Sequence, residues 1–438
     1  MALAVPIKIG TAFCYYEVFE IMTKQIFIYF IIFFLPVYIF AQNRNLDYYI
    51  SQAITNSPLL YDYKNQLLSN TIDSQILRAT MGIQVIANGN SYYAPIRNGY
   101  GYDDAITNGA QLQALLTATK NLTPKKYISL QFKDLQITAD SIRNASKISE
   151  QDLKKTIINQ YITTYGDQLQ MDFNGELHSL LRREEIVLKR LTQKNVYKQV
   201  DYLSFLVIYQ QQQLTAQQLE VQYKNDYASL NYLSGIIDTS LSRLEKPDIQ
   251  FVRNFYTDIS PFFIKYQIDS LRLFNKKEII EYSYKPHISI YADGGYQSSL
   301  AFQPYKNFGN SFGVSFLIPI YDGGQKRLQY SKIEIEERTR QRNKEFFKMQ
   351  YYQQIIQLNQ QLNAIENLLE PINKQIKYIE TLIDANGKLL ETGDIKITDY
   401  VLAINNYMTV KNLIIQNLIS RYQIISQLNY WNNNSIKN

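Results

Sequence analysis

The chain contains 438 residues with a formal net charge of +6, and its Lys and Arg residues form no continuous block. It therefore lacks the charge pattern of a nucleic-acid-binding protein. Only 17 Gly and 11 Pro interrupt this length, which is typical of long helices and strands. The only cysteine is Cys14, so the rest of the chain holds no disulfide and depends on packing or oligomerisation for its stability.

Residues 1–41 have the pattern of a secretory signal peptide preceded by extra residues. Lys24 comes before an apolar run over 26–40, which is short for a membrane span, and Ala41 offers a small residue for cleavage. Met22 is then the expected start of translation. An uncleaved membrane anchor is the alternative interpretation of the same run.

The first half of the mature chain, 42–246, begins with an amphipathic helix over 46–80 that should bend at Pro58. Period-two alternation then predicts strands at about 82–92 and 110–118, each with one apolar and one polar face. A helix is predicted over about 124–190. A turn at 194–199 then leads into a second helix over 200–235.

The second half, 247–438, repeats this plan. It has a helix over 260–283, strands at about 286–294 and 312–321, and a very long helix from 325 to about 390. Pro319 should lie near a strand end, and Pro371 should kink or briefly break the long helix. Apolar residues in that helix recur at alternating steps of three and four, which is a coiled-coil pattern: Ile355, Leu358, Leu362, Ile365, Leu369, Ile372, Ile376, Ile379 and Ile383.

The two halves align at an offset of 198 residues without a gap, as expected of an internal duplication. The matched pairs are Leu191 and Leu389, Lys198 and Lys396, Asp201 and Asp399, Tyr202 and Tyr400, Tyr209 and Tyr407, Gln218 and Gln416, Leu230 and Leu428, Asn231 and Asn429, and Tyr232 and Tyr430.

The four predicted strands have about ten residues each, enough to cross a bilayer when tilted. Four strands cannot close a barrel, since the smallest membrane barrels have about eight, and lipid does not tolerate an open sheet edge. If the strands lie in a membrane rather than in a soluble sandwich, the fold is that of an α+β membrane protein with a long antiparallel coiled coil and a β-barrel that oligomerisation completes. Two copies would supply eight strands and three would supply twelve.

Several motifs, in this order, resemble the TolC-like outer-membrane efflux proteins: AITNSP at 53–58, KPHISI at 285–290, IPIYDGG at 318–324 and TGDIKITDY at 392–400. The resemblance covers 43–431. It implies a homotrimer with a twelve-stranded transmembrane barrel in the outer membrane and a helical barrel extending into the periplasm. The partners it implies are a periplasmic adaptor (membrane fusion) protein, an inner-membrane pump and outer-membrane lipid.

The resemblance also implies a periplasmic constriction near the start of the last helix. The candidate residues are Asp399, its repeat counterpart Asp201, and Lys396, which could pair with Asp399. The alternative is that both carboxylates are ordinary helix-start residues, which the helix dipole and the free backbone N–H groups favour. The family often has a second carboxylate one turn later, where this chain has Leu402.

The turns at 194–199 and 391–397 are candidate docking sites for the adaptor, with Asn195 and Lys198 in the first and Gly393 and Asp394 in the second. The alternative is that they are simple connections. Aromatic residues near the hairpin loops suit a membrane interface, where amphipathic rings lie at the headgroups: Tyr92, Tyr93, Tyr100, Tyr102, Tyr296, Phe302, Tyr305 and Phe308.

The sequence gives little support for catalysis. His178 and His287 lack metal-ligand spacing, and no Cys nucleophile or Gly-rich phosphate loop is present, so we expect neither an enzyme nor a cofactor. The predicted function is a passive outer-membrane exit duct of a tripartite efflux pump or a type I secretion system. The alternative is a periplasmic coiled-coil adaptor or structural rod without a membrane pore.

Overall fold

The computed structural model describes residues 44–103, 109–238, 240–251, 260–300 and 303–432. The signal peptide expected at 1–41 and the aromatic residue Phe302 lie outside these ranges. Contacts divide the chain into a unit of residues 1–44 and a unit of residues 45–438. The elements described below all belong to the second unit.

Helices account for most of the described residues. They are α1 (Leu46–Asn56), α2 (Pro58–Thr80), α3 (Lys125–Gln193), α4 (Gln199–Leu233), α5 (Pro261–Ser283), α6 (Gln325–Thr392) and α7 (Ile397–Trp431). With 69 and 68 residues, α3 and α6 are each ~100 Å long at ~1.5 Å per residue. Among these helices, none combines the length and the apolar character needed to cross a membrane.

The bend expected at Pro58 is confirmed as a division between α1 and α2. Ser57 is extended, and its side-chain oxygen accepts a hydrogen bond from the N–H of Leu60, which caps the new helix. Pro58 occupies the first position of α2, where the missing N–H costs nothing.

The apolar stripe of α6 is buried, as the three-four spacing predicts. Ile372, Ile376 and Ile379 pack against Ala403 and Val410 of α7. The helix continues without interruption through Pro371, so the predicted break is absent. Because the same stripe is packed before and after the proline, we attribute the continuity to packing, which offsets the ~3 kcal/mol cost of an interior proline.

The four strands form one antiparallel sheet in the order β1 (Gln84–Tyr93), β2 (Ala110–Asn121), β3 (His287–Ser298) and β4 (Phe308–Leu317). β1 and β4 are its two unpaired edges. β4 lies four residues before the predicted range of 312–321, since Tyr296 pairs with Phe308 and Pro319 has no N–H for the ladder. β2 continues to Asn121, three residues beyond its predicted end.

The sheet has one apolar and one polar face. On the apolar face Ile288 pairs with Phe316 and Ala292 with Phe312, and Phe312 is 91% exposed. The polar face carries Asp293, whose carboxylate accepts a hydrogen bond of 2.8 Å from the hydroxyl of its partner on β4. Within the described residues, nothing covers the apolar face.

The largest buried cluster lies where α1, α3, α4, α6 and α7 meet the segment 240–251. Tyr49 and Tyr161 are fully buried there. The side chain of Gln168 on α3 accepts from the N–H of Leu244 at 2.8 Å and donates to its carbonyl at 3.1 Å. These bonds hold the segment against α3 and satisfy its backbone groups.

Candidate functional site

The turns after α3 and α6 have the same backbone geometry at positions 198 residues apart. The N–H of Val196 donates to the Leu191 carbonyl at 3.0 Å, and the N–H of Asp394 donates to the Leu389 carbonyl at 2.9 Å. The residue before each donor has a left-handed conformation, with φ of +60° at Asn195 and +83° at Gly393. This pattern ends each long helix with a Schellman turn.

The starts of α4 and α7 also match. The carbonyl of Lys198 accepts from the N–H of Asp201 at 3.1 Å, and that of Lys396 accepts from the N–H of Asp399 at 3.0 Å. Asp201 is half-buried, whereas Asp399 and Lys396 are exposed. The expected ion pair between Asp399 and Lys396 is absent from the described residues. The two carboxylates lie in the first turns of their helices, where the helix dipole favours negative charge.

The two turns touch each other. The hydroxyl of Tyr197, in the first turn, donates to the carbonyl of Ile395, in the second, at 2.9 Å. A Cβ added to Gly393 would lie 2.6 Å from the Cγ1 of Val196. The structure therefore brings the candidate docking residues of both halves into one surface. Its exposed members are Asn195, Lys198 and Asp394.

A buried apolar cluster, the tip cluster, supports this surface from below. All four helices that meet at the turns contribute to it, and its members are Leu177, Leu181, Leu188, Phe205, Leu390, Ile397, Tyr400 and Ile404. Burial of aromatic and aliphatic side chains from four helices fixes the position of the turns that connect them.

Two tyrosines at matching positions of the halves lie against consecutive carboxylates of α3. The hydroxyl of Tyr202 donates to Glu185 at 2.6 Å, and burial together with this carboxylate raises the pKa of Tyr202 to about 12. Tyr400 is fully buried, and its hydroxyl lies beside Glu184. Burial and then the Glu184 carboxylate raise the pKa of Tyr400.

The contact between Tyr400 and Glu184 is incomplete. No hydrogen bond of ordinary geometry joins the two groups, although each is close enough to shift the pKa of the other. Burial, followed by repulsion from the Glu391 carboxylate, raises the pKa of Glu184 above its ordinary value. A Cβ at Gly387 would lie 3.8 Å from Glu184 Oε1, so the glycine of α6 leaves room for this carboxylate.

Sequence reasoning identified the turns but missed the groups that join them. Tyr197 has no tyrosine counterpart in the second half, where Ile395 stands, so the repeat carried no signal for it. Tyr202 and Tyr400 were visible as matched residues of the repeat, but nothing in the sequence indicated their carboxylate partners on α3. Within the described residues, no group of three or more His, Cys, Asp or Glu side chains is placed to hold a metal ion.

No protein-family model matches this sequence, and no curated protein matches it. Solved structures share its fold at low sequence identity. The outer-membrane channel OprN is 12% identical, with a TM-score of 0.71 over 88% of this chain and 89% of that one. The outer-membrane protein VceC of Vibrio cholerae is 10% identical, with a TM-score of 0.72 over 90% and 97%. The CmeC outer-membrane channel of Campylobacter jejuni is 10% identical, with a TM-score of 0.69 over 88% and 85%.

Proposed function

Because the chain has the fold of the TolC-like outer-membrane channels, we propose that it is the outer-membrane exit duct of a tripartite efflux pump or a type I secretion system. It would conduct substrates passively, and an inner-membrane partner would supply the energy. The observation that carries the proposal is the sheet, which has a bare apolar face, a polar face and two unpaired edges.

The two edges support a homotrimer. If β4 of one copy pairs with β1 of the next, three copies close a barrel of twelve antiparallel strands and no edge is left unsatisfied. The apolar face, with Phe312 and Phe316, would then face lipid. The polar face, with Asp293, would line a wet lumen. The exposed aromatic residues near the hairpin loops, such as Tyr93 and Tyr100, would lie at the headgroups.

The same sheet weighs against the alternative of a periplasmic adaptor or rod. A soluble β domain buries its apolar face, because a large exposed apolar patch promotes association. Here Val85, Leu116, Phe312 and Phe316 are each more than half exposed on one face of one sheet. An environment of lipid accounts for these side chains, and an aqueous one does not.

The decisive experiment measures the mass and the conductance of the purified mature protein in the same detergent. We expect a trimer that gives discrete conductance steps in a planar bilayer. A monomer without conductance would overturn the proposal and favour the adaptor or rod.

We propose further that the surface formed by the two turns contacts the periplasmic adaptor. Asn195, Lys198 and Asp394 are exposed there, and Gly393 keeps the two turns close together. A photo-crosslinker placed at Asp394 should capture the adaptor in a working complex. Absence of that crosslink from an active complex would count against docking at this surface.

Asp399 is proposed to constrict the periplasmic end, because three copies would present this exposed carboxylate at the start of α7. Since Asp399 has no ion pair within its own described chain, the pairing that holds it would come from a neighbouring copy. We expect Asp399→Ala to raise the open probability about fivefold, the equivalent of ~1 kcal/mol for an exposed ion pair to a neighbouring copy. Single-channel recording checks this, with Asp384→Ala as the control. An open probability equal to that of wild type, or lower, would contradict the assignment.

A further inference from the structure

The positive charge of the chain is concentrated where the sheet joins the helices. Four segments flank the helix-proximal ends of the strands, residues 74–83, 118–133, 274–287 and 318–333, and together we call them the junction. They contain 11 of the 45 Lys and Arg residues but only 3 of the 39 Asp and Glu residues. The junction therefore carries a formal charge of +8, whereas all other residues together carry −2.

Most of these cations form no ion pair within the described part of the chain. Lys276 pairs with Glu336 at 3.4 Å and Lys326 pairs with Glu281 at 3.1 Å. The other nine form no ion pair among the residues that the structure describes. Unpaired positive charges gathered at one level of the fold repel one another and destabilise the folded chain. A bound anion would reduce this repulsion.

Five of the eleven cations of the junction lie over aromatic rings: Arg78, Lys133, Lys277, Lys285 and Lys326. The ammonium of Lys285 is 3.7 Å from the ring centre of Tyr282, and that of Lys133 is 5.7 Å from the ring centre of Phe274. These contacts hold the charged groups in place without neutralising them. Basic groups beside aromatic rings suit the border between lipid headgroups and acyl chains, where both kinds of side chain are favoured.

One part of the junction has the shape of a headgroup site. A groove of about 620 Å³ lies between the start of α3 and the end of α5, and its lining includes Lys125, Lys126, Lys133 and Phe274. Lys125 and Lys126 occupy the first turn of α3, where the helix dipole disfavours cations. The N-cap, Pro124, supplies no side-chain hydrogen bond to the free N–H groups of that turn.

The start of α6 provides the contrast. The carboxylate of Asp322 accepts hydrogen bonds there from the N–H groups of Gly324 and Lys326, at 2.8 and 2.7 Å, and supplies the negative charge that a helix start favours. The start of α3 has no such residue. The groove beside it is lined by three lysines, by apolar residues and by one carboxylate, Glu278, so its lining carries a net charge of +2 that an anion with an attached chain would complement.

We propose that the junction binds the anionic headgroups of phospholipids, with the groove at Lys125, Lys126 and Lys133 as its principal site. The phosphate would contact the ammonium groups, and the acyl chain would pass over Phe274 toward the apolar face of the sheet. This inference rests on the proposed function, since the sheet must be surrounded by a membrane for these lipids to reach the groove.

The test measures lipid binding to the whole mature protein in an uncharged detergent, with phosphatidylglycerol as the anionic probe and phosphatidylcholine as the neutral one. The variant Lys125→Gln/Lys126→Gln/Lys133→Gln removes the three positive charges of the groove. The control Lys189→Gln/Lys374→Gln/Lys377→Gln removes three exposed charges from α3 and α6 outside the junction. We expect the groove variant to raise the apparent Kd for phosphatidylglycerol about tenfold and to weaken its salt dependence. Binding of phosphatidylcholine should not change, and the control should behave as wild type.

Equal affinities for phosphatidylglycerol in the groove variant and the control would overturn the inference. So would loss of the trimer in the groove variant, because the groove would then hold carboxylates of a neighbouring copy. Conductance of the same samples separates this failure from that of the proposed function. Wild-type channels that conduct without any preference for phosphatidylglycerol overturn the lipid site alone, whereas wild-type protein that never conducts overturns the duct.

Discussion

Gly295→Ala is expected to prevent the sheet from forming, whereas Gly309→Ala should leave it intact. Gly295 lies on the central strand β3 with φ of +153°, and a Cβ there would be 2.2 Å from the carbonyl oxygen of Ala114 on β2. That atom belongs to the backbone and cannot rotate away. The substitution must therefore displace β2 from β3, the pair that joins the two hairpins.

Gly309→Ala is a well-matched control, because Gly309 is the residue paired with Gly295 on β4. A Cβ at Gly309 meets no atom within 4 Å. Backbone strain and overpacking at Gly295 should together cost ~3 kcal/mol or more. The measurements are the yield of trimer in the outer-membrane fraction and the midpoint of thermal unfolding. If Gly295→Ala and Gly309→Ala lower the trimer yield and the unfolding midpoint equally, the close approach of β2 to Gly295 does not cause the loss.

The second large effect concerns the tip cluster, where Tyr400→Ala should separate α7 from α3. Tyr400 is fully buried among residues of four helices, and truncation of a buried aromatic residue costs ~3–5 kcal/mol. Its repeat counterpart Tyr202 is only half-buried, so Tyr202→Ala should cost much less. Hydrogen exchange of residues 177–190 and 390–404 measures the opening.

If the tip cluster holds the duct closed, Tyr400→Ala should also raise the leak conductance well above that of Tyr202→Ala. A pair of variants with equal exchange and equal leak would contradict this role for Tyr400. Tyr400→Phe is the conservative control for packing, because it keeps the ring and removes only the hydroxyl beside Glu184.

Because the pKa of Glu184 is raised, we expect the tip cluster to become less stable as the pH rises. Its pKa is raised in the folded chain, first by burial and then by Glu391, so the folded state binds the proton more tightly than the unfolded state. The stabilisation is therefore complete below the ordinary carboxyl pKa and is lost as the pH rises through the raised one. We expect wild type, compared with Glu184→Gln, to lose thermal stability as the pH rises above the ordinary carboxyl pKa. If the difference in thermal stability between wild type and Glu184→Gln does not change with pH, Glu184 does not have this role.

Much of the helical architecture could be read from the sequence because each signal was local. The three-four spacing around Ile376 gave the buried face of α6, and Pro58 gave the division of α1 from α2. The ends of β4 and β2 could not be placed as well, since register depends on the partner strand. The apolar spacing runs straight through Pro371 in the sequence, but whether the helix breaks there depends on its packing against α7.

The candidate site was predictable only in outline. A glycine and a lone carboxylate after a long helix identify the second turn, and the repeat at an offset of 198 residues identifies the first. The bond from Tyr197 to Ile395 joins residues 198 positions apart, and the two residue types do not repeat. Glu184 lies in the middle of a charged helical run, where its burial depends on helices far away in the sequence. Such contacts arise from the tertiary arrangement.

The unpaired edges of the sheet have a consequence for how the protein must be made. Neither β1 nor β4 contains a charged residue or a proline, the features that commonly keep free edges from joining at random. If the sheet closes between copies as proposed, a newly made chain exposes two unpaired edges until it meets other copies. Productive closure needs several chains at once, so it slows steeply as the chains become scarce, whereas faulty pairing needs only two. Successful biogenesis should accordingly depend on a holding chaperone that covers these edges, more than on the intrinsic stability of the single chain.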